Sequence, residues 1–180
     1  MAEDTRARRG PRASLKQLVP YLLSQRGPLA LALTLGVIGA GNIGGIVCKK
    51  AIGIGMHVLA YDPFLSAERA QEMGVTKVEL DELLAQADFI TLHVPMTDKT
   101  RGILGRENLA KTKPGVRIIN CARGGLIVEQ DLKDALDSGH VAGAALDVFE
   151  EEPLPGDSPL WQLDNIIISP HNSWASEMFQ

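Results

Sequence analysis

The 180-residue sequence predicts an α/β fold, a doubly wound parallel sheet with helices on both faces. Three observations predict it. Short apolar runs alternate with stretches of helical spacing from Thr34 to Ser169. The apolar run 35–38 leads straight into Gly39-Ala40-Gly41-Asn42-Ile43-Gly44, a G-x-G-x-x-G turn. A second apolar run, 56–60, then ends on Tyr61-Asp62, with Asp62 18 positions beyond Gly44.

The elements follow in order. Residues 1–13, with Arg6, Arg8, Arg9 and Arg12, read as a solvated tail. A helix is expected over 14–25, capped by Ser14, with Leu15, Leu18, Val19 and Leu22 on one face and Pro20 accommodated as a kink. Strand one is expected over 34–38. The helix over 42–53 has Ile43, Ile46, Val47 and Ala51 at helical spacing. Strand two covers 56–61. Ser66 starts a short helix that Gly74 ends, and Leu80, Leu83 and Leu84 mark another. Strand three, 88–94, is apolar on both faces, as a central parallel strand must be. A short helix over 107–111 stops before Lys113-Pro114-Gly115. Strand four is 116–120, and the helix over 128–136 turns Leu132, Ala135 and Leu136 inward. Strands five and six are expected over 141–148 and 165–169.

Bulk properties exclude several classes of function. The formal charge is −4 and no dense basic face is visible, which argues against nucleic acid as a partner. The apolar stretch 29–38 is too short to span a bilayer, so no membrane partner is expected. A cleaved leader there would remove strand one. Cys48 and Cys121 have no metal-ligand spacing and no disulfide framework, so no metal is expected. Reduced thiols fit a cytoplasmic setting.

Each glycine of the turn has a physical task in a dinucleotide site. Gly39 permits the sharp turn, Gly41 lets backbone approach a pyrophosphate, and Gly44 lets the helix pack on the strand. The helix start offers unpaired N–H groups to the phosphates. Asp62 stands where an acid bonds the ribose hydroxyls. Ligands of such sheets sit beyond the carboxyl ends of the strands. There the sequence gathers His93-Val94-Pro95, Asn120-Cys121-Ala122-Arg123-Gly124-Gly125, Asp147 with Glu150-Glu151-Glu152, and Ser169-Pro170-His171. A histidine suits proton transfer near neutrality, and a carboxylate beside it fixes its tautomer. An arginine holds a small acid's carboxylate in a fork. His171, Glu152 and Arg123 fit these roles, although spacing alone does not single out Glu152 from its run. His93 reads as a strand-end residue near the cofactor and not as the base.

As an ordered set these motifs resemble the D-isomer-specific 2-hydroxyacid dehydrogenases, in particular the branch that acts on phosphoglycerate. The matching stretches are 35–44, 91–104 (TLHVPMTDKTRGIL), 113–136 (KPGVRIINCARGGLIVEQDLKDAL), 142–153 (AGAALDVFEEEP) and 165–171 (NIIISPH). The resemblance implies a Rossmann nucleotide domain and hydride transfer between NAD and a 2-hydroxy or 2-oxo acid. It implies Arg123, Glu152 and His171 as catalytic residues. Cofactor contacts are implied at Gly39, Gly41, Asn42, Ile43, Gly44, Asp62, Val94, Pro95, Cys121, Ala122, Arg123, Asp147 and His171. Asp62 favours NAD, because a carboxylate repels a 2′-phosphate. A homodimer is also implied.

The sequence departs from the family in two ways. Asn42 stands where arginine is usual, and Asn172-Ser173-Trp174 replaces a commoner glycine-containing stretch. The family also carries a substrate domain ahead of the glycine turn, and residues 1–33 do not resemble it. The expected organisation is therefore a tail and helix of unclear role over 1–33 and an NAD-binding domain over 34–180, with the substrate domain largely missing. The alternative expectation is a catalytically impaired NAD-binding module or interaction protein.

Overall fold

A computed structural model describes residues 33–173. The expected N-terminal tail, the helix over 14–25 and Trp174 lie outside the described residues. Strand β1 (Thr34–Ile38) is buried almost throughout and lies third from one edge of the seven-stranded sheet. It is followed by α1 (Asn42–Gly53), β2 (His57–Tyr61), α2 (Ala67–Met73), β3 (Thr76–Lys77), α3 (Leu80–Gln86) and β4 (Phe89–Leu92). Then come α4 (Arg106–Ala110), β5 (Val116–Asn120), α5 (Glu129–Asp137), β6 (Val141–Leu146), a 3₁₀ turn (Pro159–Gln162) and β7 (Ile166–Ile168).

All the strands run parallel, in the order β3-β2-β1-β4-β5-β6-β7. The chain works outward from β1 to β3, then returns to β1's other side with β4. That reversal opens a crevice above the carboxyl ends of β1 and β4, the usual ligand position in such sheets. The registers Ile38↔Tyr61 and Ile38↔Leu92 bring those ends level.

Two apolar layers hold the sheet. Val37, Cys48, Ala51, Val58 and Ala60 join β1 and β2 to α1 and α2. On the other face, Ile90, Ile118 and Leu146 pack with Leu83, Leu84, Leu132 and Leu136 from α3 and α5. One half of the first face is bare among the described residues. There a groove of about 400 Å³ runs past Arg117, Ile119, Ala145 and Ile167, and Arg117 lies over the Phe89 ring at 5.6 Å.

The structure departs from the sequence expectations at several points. The buried face of α1 is Gly44, Cys48 and Ala51, while Ile43 and Ile46 are 69% and 57% exposed. Small side chains at i, i+4 and i+7 let the helix approach the sheet closely, which turns the larger isoleucines outward. Strand β3 was not expected, since Thr76 and Lys77 are both exposed and carry no apolar signal. The strand expected over 88–94 pairs only from Phe89 to Leu92, and the one over 141–148 stops at Leu146. Beyond those points the chain leaves the ladder to build the site.

Candidate functional site

The glycine turn is a backbone cradle. Gly39 sits at φ +95°, and a Cβ there would press on Val94 and the His93 carbonyl at 2.7–2.9 Å. A Cβ on Gly44 would lie on the Gly39 carbonyl oxygen. These two glycines close the turn against β4's end. Gly41 differs: nothing lies within 4 Å of its would-be Cβ. Helix α1 has Gly41 as N-cap with no side-chain cap, so its first-turn N–H groups have no side-chain acceptor there. An anion fits that end, through N–H donors and the helix dipole. Asn42 and Ile43 stand exposed on this first turn.

Asp62, at the end of β2, braces the cradle. Its Oδ2 accepts from the Ala40 N–H at 2.9 Å and its Oδ1 from the Phe64 N–H at 2.8 Å. Across the crevice, His93 bonds Thr91 Oγ1 through Nε2 at 3.0 Å. Burial pushes its pKa below the ordinary histidine value, which keeps the ring neutral. Val94 packs on Gly39, and the Pro95 carbonyl accepts from Thr100 Oγ1 at 2.6 Å.

The loop after β5 is held by Asn120, only 2% exposed. Its Nδ2 donates to the Arg123 carbonyl at 3.0 Å, and its Oδ1 accepts from the Ala122 N–H at 3.0 Å. That bracket presents Cys121, Ala122 and Arg123 at the crevice. The exposed Arg123 guanidinium folds back, Nη1 donating to the Ala122 carbonyl at 2.6 Å. Partial burial and the nearby Asp147 carboxylate raise the Cys121 thiol, leaving it protonated at neutral pH. Gly124 brings this loop against the next one, since a Cβ there would collide with the Phe149 carbonyl.

Glu152 and His171 meet at the same edge. His171 Nδ1 lies 2.7 Å from Glu152 Oε2, and Glu152 Oε1 accepts from the Phe149 N–H at 3.0 Å. The hydrogen bond from His171, with that N–H, holds the Glu152 carboxyl below its ordinary range. His171 adopts φ +51°, the left-handed region that non-glycine residues seldom enter. Asp147 secures it. Its Oδ1 accepts from Ser169 Oγ at 2.6 Å and the Asn172 N–H at 3.0 Å, and its Oδ2 accepts from the Ser173 N–H at 3.0 Å. Burial opposes its ionisation, but these hydrogen bonds outweigh that and draw its pKa down to about 2.

The fold thus brings Glu152 and His171 into contact and sets the Arg123 loop against theirs. The cradle, Asp62, Val94 and Pro95 line the crevice beside them. Sequence reasoning missed Asn120 and Ser169 as positioning residues, and it assigned Asp147 to the cofactor. That carboxylate is 1% exposed and turned into the histidine loop. The available signal was a polar residue at the carboxyl end of a buried strand, where it has loop amides to satisfy. Among the described residues no cluster of His, Cys, Asp or Glu is arranged to hold a metal. No described helix is long and apolar enough to cross a membrane.

A glycine cradle at the switch point of a parallel sheet, with an acid closing β2, defines a dinucleotide-binding domain. Residues 24–173 match the family described as D-isomer specific 2-hydroxyacid dehydrogenase, NAD binding domain. The chain belongs to that family. It is 54% identical over 148 residues to a D-3-phosphoglycerate dehydrogenase of Methanocaldococcus jannaschii, covering 82% of this chain and 28% of the relative. Among solved structures, the NAD-complexed D-isomer specific 2-hydroxyacid dehydrogenase of Lactobacillus delbrueckii ssp. bulgaricus superposes with TM-score 0.70 at 32% identity, over 78% of this chain and 46% of that one. A D-lactate dehydrogenase of Treponema pallidum gives TM-score 0.74 at 31% identity, over 89% and 54%. The chain therefore spans under a third of the length of that curated relative.

Proposed function

We propose that this chain is the cofactor-binding part of a dehydrogenase that interconverts a 2-hydroxy and a 2-oxo acid. The observation that carries the proposal is the His171–Glu152 pair, 2.7 Å apart at the carboxyl edge of a sheet whose switch point holds the glycine cradle. The cradle glycines Gly39, Gly41 and Gly44, with Asn42 and Ile43, take the pyrophosphate. Asp62 takes the ribose and favours NAD over NADP by repelling a 2′-phosphate. Val94, Pro95, Cys121 and Ala122 flank the nicotinamide end. Bound NAD supplies the hydride acceptor. Residues 34–180 form this domain, and 1–33 precede it as a separate segment.

The proton is handled by this chain. An ionised Glu152 only accepts, so Nδ1 of His171 carries the hydrogen between them. Nε2 is then the atom that takes a proton from the 2-hydroxyl during oxidation and returns it during reduction. Glu152 stabilises the imidazolium formed. Arg123 unfolds from the Ala122 carbonyl to grip the substrate carboxylate bidentately and polarise the C2 oxygen.

One observation favours a second reading. The His171 and Glu152 side chains are 44% and 35% exposed, and water at the pair weakens their electrostatics. A catalytically impaired NAD-binding module, or an interaction protein built on it, has that character. Turnover of NADH with a panel of 2-oxo acids separates the two. The dehydrogenase reading expects activity that falls at least about a hundredfold in His171→Ala, in line with general acid–base contributions. Absent turnover, or turnover indifferent to His171, favours the module.

We also propose a cytoplasmic homodimer. The bare sheet face with Ile167 71% exposed supports self-association, and the two free cysteines suit a reducing compartment. Sedimentation velocity giving a monomer at micromolar concentration would contradict the dimer.

A further inference from the structure

A cavity of about 540 Å³ opens beside the His171–Glu152 pair. Phe149, Leu154, Trp161 and Ile168, with Pro153 and Pro170, wall it. Its size is that of a small-molecule pocket, and a polar pair on an apolar wall is the usual construction of one. Trp161 is 53% exposed, yet its indole is fixed, Nε1 donating to the Pro155 carbonyl at 2.9 Å. A pinned, exposed indole is a preformed apolar wall, ready to cover a ligand at little entropic cost.

Charge decides what this wall accepts. Among the residues that line it, Glu152 is the one carboxylate, already paired with His171, and none is a lysine or arginine. A phosphate entering here meets the Glu152 carboxylate and no lysine or arginine, and it must shed water against proline and leucine. A branched aliphatic or aromatic group meets dispersion contacts and loses only unfavourable hydration.

We propose that this cavity receives the apolar side chain of the acid whose C2 oxygen meets His171. The substrate class is then a 2-hydroxy or 2-oxo acid with a branched or aromatic side chain, and not a phosphorylated one. The inference rests on the dehydrogenase reading of His171 above. It distinguishes this chain from the relative named D-3-phosphoglycerate dehydrogenase, with which it shares over half its residues in the aligned region.

Calorimetric titration of the full chain tests it. NAD is titrated first, then phenylpyruvate or 3-phosphonooxypyruvate is added to the NAD-saturated protein, where the oxidised cofactor has no hydride to give and only binding is read. Phenylpyruvate is expected to bind at least tenfold more tightly than the phosphorylated acid. Leu154→Asp is expected to weaken phenylpyruvate at least tenfold while NAD affinity stays within twofold, which also reports intact folding. Trp161→Ala, at an exposed position, is expected to weaken it in the same direction. Equal or tighter binding of the phosphorylated acid overturns the inference. So does indifference of phenylpyruvate to both substitutions, or NAD binding with no binding of either acid. Failure of NAD itself to bind overturns the underlying reading, and the first titration shows it separately.

Discussion

Asp147 supports the histidine loop through three hydrogen bonds from Ser169, Asn172 and Ser173. Its folded carboxyl titrates at about 2 against an ordinary 3.8, so the unfolded chain takes up the proton first as pH falls. Its stabilisation is therefore present in full above about pH 4 and is lost between there and pH 2. A shift of that size corresponds to about 2 kcal/mol. Asp147→Asn is expected to lower stability by about that amount at pH 7 and to flatten the acid limb of the stability curve below pH 4. Urea unfolding of both proteins from pH 7 to 2.5 measures it; parallel curves for the two would contradict the assignment. His171 at φ +51° is the residue that clamp restrains, so NADH-dependent turnover is expected to fall in the same variant. This is a positioning effect, since Asp147 acts through the loop.

Most elements were legible because they obey simple periodicities. The run into Gly39, the Ser66 cap on the Arg69 N–H at 3.1 Å, and the inward Leu132 and Leu136 all follow from local pattern. What was not legible has physical causes. Strand β3 exists because β2 offers a free edge, and two exposed residues suffice to pair with it. The outward turn of Ile43 and Ile46 reflects the close approach that Gly44, Cys48 and Ala51 allow, which outweighs burial of larger side chains. The candidate site shows the same division. Arg123, Glu152 and His171 were visible as chemistry at strand ends. Their supports were not, because the contacts of Asn120 and Asp147 run to backbone amides of loops whose paths sequence does not reveal. The apolar cavity was hidden for a similar reason. Phe149, Leu154, Trp161 and Ile168 are scattered along the chain and meet only when the 3₁₀ turn at Pro159–Gln162 folds over β7's end.

At the scale of the molecule, one parallel sheet gathers two groups of residues at one edge. The β1–β4 reversal provides a cradle for a dinucleotide, and the loops after β5, β6 and β7 bring an arginine and a histidine–glutamate pair beside it. The chain belongs to a family of dehydrogenases and supplies its NAD binding domain. The central claim is that the glycine cradle holds the cofactor, and Gly41 tests it most directly. Its backbone is extended at φ −68°, ψ −151°, outside the left-handed region, and a Cβ there meets nothing within 4 Å. Gly41→Val therefore finds room in the fold, at a cost of about 1 kcal/mol for an apolar residue at the helix N-cap, and places two methyl groups where the pyrophosphate approaches. Titrating NADH by its fluorescence in both proteins, with thermal unfolding as a control, is the measurement. The expected result is saturable binding to the original chain, at least tenfold weaker in Gly41→Val, with cooperative unfolding kept and its midpoint lowered by no more than about 4 °C. Equal NADH affinity in the two proteins, or no binding to either at millimolar cofactor, would contradict it.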